Sequence, residues 1–224
     1  MLNLFINDYV SKNKSIVSET FYGIIRSIMK CNSCNVTKYS FQTFNLQIFQ
    51  LKKIKEEMTK LNGGFEKELL SLLDAFIIEQ NEEILNGIYC TICQKISRGL
   101  YQQNIYQLPR VLIIILNRGK NNQDFNEEFD FPLILDFTNQ NIVINQQSYM
   151  KYYLCGVITH LGESGSEGHF IAYCRSDPDS EFYFYNDASV TVVKNNNSVK
   201  ETKISYKESE KITPYILFYH HLPK

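Results

Sequence analysis

The chain has 224 residues, 44% of them hydrophobic and 21% charged, with 24 acidic against 23 basic side chains and a net charge of -1. This is globular composition, and enough chain for one large core or a core with a small appended module. The charge balance excludes a broad basic field of the kind that draws proteins to nucleic acid or anionic membranes, and the longest apolar run, "VLIIIL" at 111–116, is too short to span a bilayer.

The opening "MLNLFINDYVSKNK" lacks a basic start, an apolar stretch and a cleavage site, so no secretory signal is expected. The expected setting is intracellular, cytoplasmic or nuclear. There, paired cysteines serve more readily as metal ligands or catalytic groups than as disulfides. Residues 16–29 read as a short helical turn followed by a strand. Residues 36–51 alternate, with Phe44, Leu46 and Ile48 on one face and Thr43, Asn45 and Gln47 on the other, which predicts a strand. The charged run 52–60 predicts a solvated linker or helix face, broken by "NGG" at 62–64. Residues 65–78 place Phe65, Leu69, Leu72 and Phe76 at helical spacing.

The run 111–116, between Pro109 and Arg118, predicts a strand buried on both faces. A polar loop including Glu127 and Glu128 follows, expected to be wet. Residues 129–137 then read as extended, with Pro132 at an edge or bulge. Strands predicted at 152–159, 170–174, 182–185, 190–193 and 215–219 imply an antiparallel sheet. The Asn/Gln-rich stretches 139–147 and 195–197 read as loops.

Two cysteine pairs carry chemistry: Cys31 and Cys34 in "CNSC", Cys90 and Cys93 in "CTIC". A two-residue gap aims both thiolates at one point, and two such knuckles complete the closed four-sulfur shell that structural zinc prefers. Two pairs of buried cysteines, or a redox pair, are the alternatives. Cys155 and Cys174 lie in strand-like runs and are expected to be core residues with ordinary thiols.

His169 ends a loop with three glycines. If 170–174 and 182–185 pair as a hairpin, the turn "SDPDS" brings His169 beside Asn186. A histidine oriented by an Asn or Asp is two-thirds of a nucleophilic triad, although the same residues also cap loops. His160, at a strand end, reads as structural.

The order of these pieces resembles the ubiquitin-specific protease family of cysteine deubiquitinases. It runs CxxC, CxxC, "LPRVLIIILNR", "FPLILDF", "YLCGVITHLGESGSEGHFIAYC", "FYFYNDASVTVV" and "PYILFY", from about residue 16 to 219. The resemblance implies an α+β fold: part of a papain-like catalytic domain, with an antiparallel β palm and zinc-ribbon fingers. It implies fingers over about 22–110, interleaved with palm, and palm over about 111–224. His169 resembles the catalytic histidine, Asn186 the third triad residue and Asp187 an acidic assistant. Cys31, Cys34, Cys90 and Cys93 resemble the ligands of structural zinc. Gly165, Ser166, Glu167, Gly168 and Phe170, in and after the loop 161–168, resemble the segment that closes on ubiquitin's C-terminal tail.

The family's Gly-Asn-Thr-Cys box and the thumb that carries it are not in the chain. Glu167 stands where the family has Gly, Phe170 where it has Tyr, and Tyr185 where it has Phe. The implied function is therefore that of a deubiquitinase catalytic-domain piece, inactive alone and completed by a cysteine-bearing thumb. A non-catalytic ubiquitin-binding module is the alternative, and a zinc-ribbon structural or nucleic-acid module is disfavoured by the charge. The expected partners are ubiquitin or ubiquitinated proteins and a thumb segment, with no nucleic acid and no membrane.

Overall fold

The computed structural model describes residues 2–67, 69–119, 127–138, 140–145, 149–164, 167–194, 199 and 212–222. Contacts divide the chain into two units: 1–45, 79–110 and 137–150 form one, and 46–78, 111–136 and 151–224 the other. No helix among the described residues is long and apolar enough to cross a membrane.

The first unit opens with helix α1 (Leu2–Phe5), which continues as a wider π-type turn (Ile6–Val10), and α2 (Ile16–Phe21). Helix α2 starts where Ser15 and Ser18 cap each other reciprocally. Its sheet has the order β2 (Thr37–Phe44), β1 (Gly23–Cys31), β6 (Lys95–Gln107), β5 (Glu83–Cys90), all antiparallel. The β1–β2 and β5–β6 hairpins turn at the two cysteine pairs, so both knuckles fall at one end of this sheet.

The second unit holds the larger sheet. Its strand order is β13 (Ser189–Val193), β12 (Phe182–Asn186), β11 (Glu167–Cys174), β10 (Lys151–Ser164), β14 (Ile212–His221), β7 (Val111–Asn117), β3 (Gln47–Gln50). Strand β9 (Ile134–Asp136) pairs with the start of β10. Among the described residues, only β3 runs parallel to its neighbour in this sheet. Helices α3 (Leu51–Leu61) and α4 (Leu72–Glu79) belong to this unit, α4 up to Ile78, as do the short parallel strands β4 (Leu70–Ser71) and β8 (Phe129–Asp130). Leu112, Ile114, Leu116, Val157, Leu217 and Tyr219 are fully buried, and Phe49 packs edge-on against Phe76 at 4.9 Å.

Several sequence expectations are corrected. The alternation at 36–51 is not one strand: the chain leaves the first sheet at Phe44 and enters the second at Gln47. That crossing resets the face, so Phe49 is buried and Ile48 is 47% exposed. The helical spacing at 65–78 holds only from Leu72, where Ser71 and Asp74 form a reciprocal cap; Phe65 and Leu69 are exposed. Strand β7 is buried on one face only, with Val111, Ile113 and Ile115 half-buried. Of the two readings of the charged run 52–60, the helix face holds: it is helix α3, which buries only Leu51 and Ile54. Glu127 is not wet: it pairs with Lys55 at 3.1 Å.

Candidate functional site

His169 sits near the start of β11, opposite Leu161 of β10, and shares a face with buried Ile171 and Tyr173. Strands β11 and β12 pair through Ala172–Tyr185, Tyr173–Phe184 and Cys174–Tyr183. The turn between them is tied by the Asp177 carboxylate, which accepts from the Asp179 and Ser180 amides. Asn186 ends β12 on the face of Phe182 and Phe184, so the hairpin delivers both side chains to one side. Nε2 of His169 lies 2.7 Å from Oδ1 of Asn186.

That contact sets the tautomer. An amide oxygen only accepts, so Nε2 carries the proton and donates, and Nδ1 keeps its lone pair. Asp187 follows in a tight turn with φ +50°. Its carboxylate oxygen stands 3.7 Å from the same Nε2, too far for a hydrogen bond. The His169 side chain is 43% exposed and that of Asp187 82%.

The strand ends before His169 are built around glycine. Gly162 and Gly168 have φ of +145° and +152°, a region that costs glycine little. The described part of the loop predicted at 161–168 is strand: β10 extends to Ser164, which pairs with Glu167 of β11. Gly165 and Ser166 lie outside the described residues. Glu167, Gly168 and Phe170 are exposed and adjoin His169. His160 is buried, at 4% exposure, and its ring stands edge-on to Phe170 at 4.9 Å. Burial, and then the charge of His169, hold the His160 imidazole below its ordinary value.

The four paired cysteines also converge. All four sulfurs lie within 4.8 Å of one another, with Cys31–Cys93 at 3.9 Å and Cys34–Cys90 at 3.7 Å. A tetrahedron with metal–sulfur bonds of about 2.3 Å needs sulfurs about 3.8 Å apart, so the donor set fits zinc. The knuckles are equivalent. Each is followed by a residue at φ +56°, Asn35 or Gln94, whose amide donates to the first cysteine's carbonyl at 2.8 Å. The Ser97 hydroxyl at 3.3 Å helps hold the Cys31 thiol down at about 6.

Cys174 departs from expectation: it is exposed, and Cys155 is only half-buried. Neither is activated. Desolvation pushes Cys155 up to about 11 and raises Cys174 as well. Sequence reading passed over Arg118, which is 2% exposed and donates through Nε to the Pro214 carbonyl at 2.7 Å. It also gave His160 no relation to its neighbours; the glycines at 162 and 168 were the available signal.

Comparison with known proteins places this geometry in a family. Residues 3–219 match the family model described as "Ubiquitin carboxyl-terminal hydrolase". The chain is 25% identical to ubiquitin carboxyl-terminal hydrolase 9 of Saccharomyces cerevisiae, over 93% of this chain and 26% of that protein. It is 28% identical to ubiquitin carboxyl-terminal hydrolase 21 of Homo sapiens, over 97% of this chain and 35% of that protein. It thus spans about a quarter to a third of the length of these curated relatives. Among solved structures it resembles a SAGA DUB module of Ubp8, Sgf11, Sus1 and Sgf73 bound to monoubiquitin. There the TM-score is 0.70 and the identity 21%, covering 99% of this chain and 46% of that one. The fold is therefore the α+β fold of that protease, with antiparallel sheets and a four-cysteine cluster. With the pattern matched over nearly its whole length, the chain belongs to the ubiquitin carboxyl-terminal hydrolase family, as a relative of the ubiquitin-specific proteases.

Proposed function

We propose that this chain is the histidine-bearing part of a cysteine deubiquitinase catalytic domain, acting on the bond after the C-terminal glycine of ubiquitin. The observation that carries the reading is the 2.7 Å contact between His169 Nε2 and Asn186 Oδ1, which leaves Nδ1 as the free base. Nδ1 takes the proton of the paired thiol, and the resulting thiolate attacks the glycine carbonyl. Nδ1 then gives that proton to the lysine amine as the C–N bond breaks, leaving a thioester that water cleaves; Asn186 holds the ring, and Asp187 is the acidic assistant beside it. Glu167, Gly168 and Phe170 line the approach of the ubiquitin tail, and Gly165 and Ser166 are assigned to the same tail-binding segment.

The nucleophile is not among the six cysteines. Four form the cluster, and the thiols of Cys155 and Cys174 are raised. A cysteine-bearing thumb segment, in the same protein or another chain, completes the site, and residues 1–224 alone are inactive. In this reading Cys31, Cys34, Cys90 and Cys93 hold a structural zinc with no open position for substrate. The fingers fall within 22–110 and the palm within 111–224, in a cytoplasmic or nuclear protein.

The test is hydrolysis of a fluorogenic ubiquitin C-terminal amide by this chain, alone and with the cysteine-bearing segment of a relative. Turnover only in the mixture, lost with His169→Ala, is the expected result. Ubiquitin binding with no turnover in the mixture would instead make the chain a non-catalytic ubiquitin-binding module. Turnover by the chain alone would mean that one of its own cysteines is the nucleophile.

A further inference from the structure

We infer that His160 is a positioning residue for His169: its buried imidazole, seated against Gly162 and Gly168, fixes the backbone from which His169 reaches Asn186. The inference rests on the proposed role of His169 as acid and base. Its ground is the packing of two adjacent strands.

Leu161 pairs with His169 and His160 with Phe170, so the two histidines occupy neighbouring rungs of the β10–β11 ladder. A Cβ on Gly168 would overlap both Cε1 and Nε2 of His160 and the Leu161 carbonyl. A Cβ on Gly162 would lie 3.0 Å from His160 Cε1 and 2.7 Å from the Glu167 carbonyl. Both glycines thus leave room for one ring, and both adopt backbone that favours glycine. The ring is held from its other sides. Phe170 stands edge-on at 4.9 Å and is itself edge-on to Tyr215 at 5.7 Å. Thr213, 3% exposed, is the cross-strand partner of His160 on β14.

Gly168 is bonded directly to His169, so movement of the His160 ring is passed to the amide of the next residue. The hydrogen bond to Asn186 is steep in distance and angle, and displacement of about 1 Å at a reacting group can cost about 10²-fold in rate. Burial, and then the charge of His169, hold the His160 imidazole below its ordinary value.

The test uses this chain uniformly labelled with 15N. Long-range 1H–15N spectra report the His169 tautomer, and the wild type is expected to show Nε2–H alone. In His160→Ala the tautomers mix and the His169 signals broaden, while amide shifts of Tyr152 and Leu154, farther along β10, stay in place. His160→Gln, which keeps a planar polar edge, restores part of the wild-type spectrum and serves if the alanine variant does not fold. Any folded variant of either kind whose His169 tautomer and line widths match the wild type overturns the inference. With a cysteine-bearing segment added, His160→Ala lowers kcat by about 10- to 100-fold with KM within about twofold. If the completed wild-type chain has no hydrolase activity, the deubiquitinase reading fails, while the spectra still decide the role of His160.

Discussion

Nε2 of His169 donates to Oδ1 of Asn186 at 2.7 Å, whereas Asp187 approaches the same nitrogen only to 3.7 Å with its carboxylate largely in water. The two acidic-or-amide neighbours therefore have separable effects. In the completed enzyme, Asn186→Ala lowers kcat by about 10²-fold or more, because the imidazole loses its orientation and tautomer. Asn186→Asp retains much of the rate, since a carboxylate accepts the same bond. Asp187→Asn costs less than Asn186→Ala, because an exposed charge acts through screened Coulomb attraction alone. Steady-state rates of the three variants, compared at low and high salt, check this ordering.

The parts of the candidate site were legible because each part is local. The cysteine pairs need only two residues between them, and the hairpin that joins His169 to Asn186 needs only two strands and a turn. What stayed hidden depends on packing far along the chain. Phe49 rather than Ile48 enters the core because the chain changes sheets at 45–46, which alternation cannot register. Ile113 and Ile115 read as buried from hydrophobicity alone, yet only the opposite face of β7 is covered. The true start of α4 was written in the sequence as Ser71 and Asp74, a capping pair overshadowed by the longer helical spacing before it. The role of Arg118 stayed hidden because nothing local shows that a carbonyl 96 residues away, on Pro214, waits for the guanidinium, and Glu127 read as wet because Lys55 lies 72 residues before it.

The four-cysteine cluster predicts one zinc per chain. Metal analysis of the purified protein should return close to one equivalent, and Cys34→Ser should lower it sharply. A strong chelator should release amide protection around Cys31–Asn35 and Cys90–Gln94, since four thiolates left without a cation repel one another. Full protection with no metal bound would show that the cluster is held by packing alone.

His160 gives a pH dependence of stability. Its folded value is held below the ordinary 6.5, by burial and then by the charge of His169. The unfolded chain therefore binds this proton more readily than the folded one. The contribution is complete above about 6.5 and is lost as pH falls below that value towards the folded one. Urea midpoints should decline between pH 7.5 and 5, and the decline should be shallower in His160→Gln. Asp74 titrates in a lower window: bonds from Lys67 and Ser71 outweigh its burial and hold it below 3.8, so its contribution is lost only in stronger acid.

Arg118 is the most deeply buried charged side chain among the described residues. Burial pulls its guanidinium down to about 10, against the opposing attraction of Glu127. Nε donates to the Pro214 carbonyl at 2.7 Å, and Nη1 donates to the Glu127 carbonyl. Glu127 in turn pairs with Lys55 of α3, so one side chain links the end of β7, the start of β14 and the segment after 126. Arg118→Ala strips donors from buried carbonyls and should cost about 3 kcal/mol or more. For a chain of this size that is a fall in Tm of about 6–12 °C. Arg118→Lys keeps the charge but not the fork that reaches two carbonyls, so its loss should be intermediate. Because Pro214 pairs with Thr159, next to His160, the same variants should also broaden the signals of His160. Calorimetry of the alanine and lysine variants, read beside those spectra, separates a global loss of stability from a local one at the strand that precedes His169.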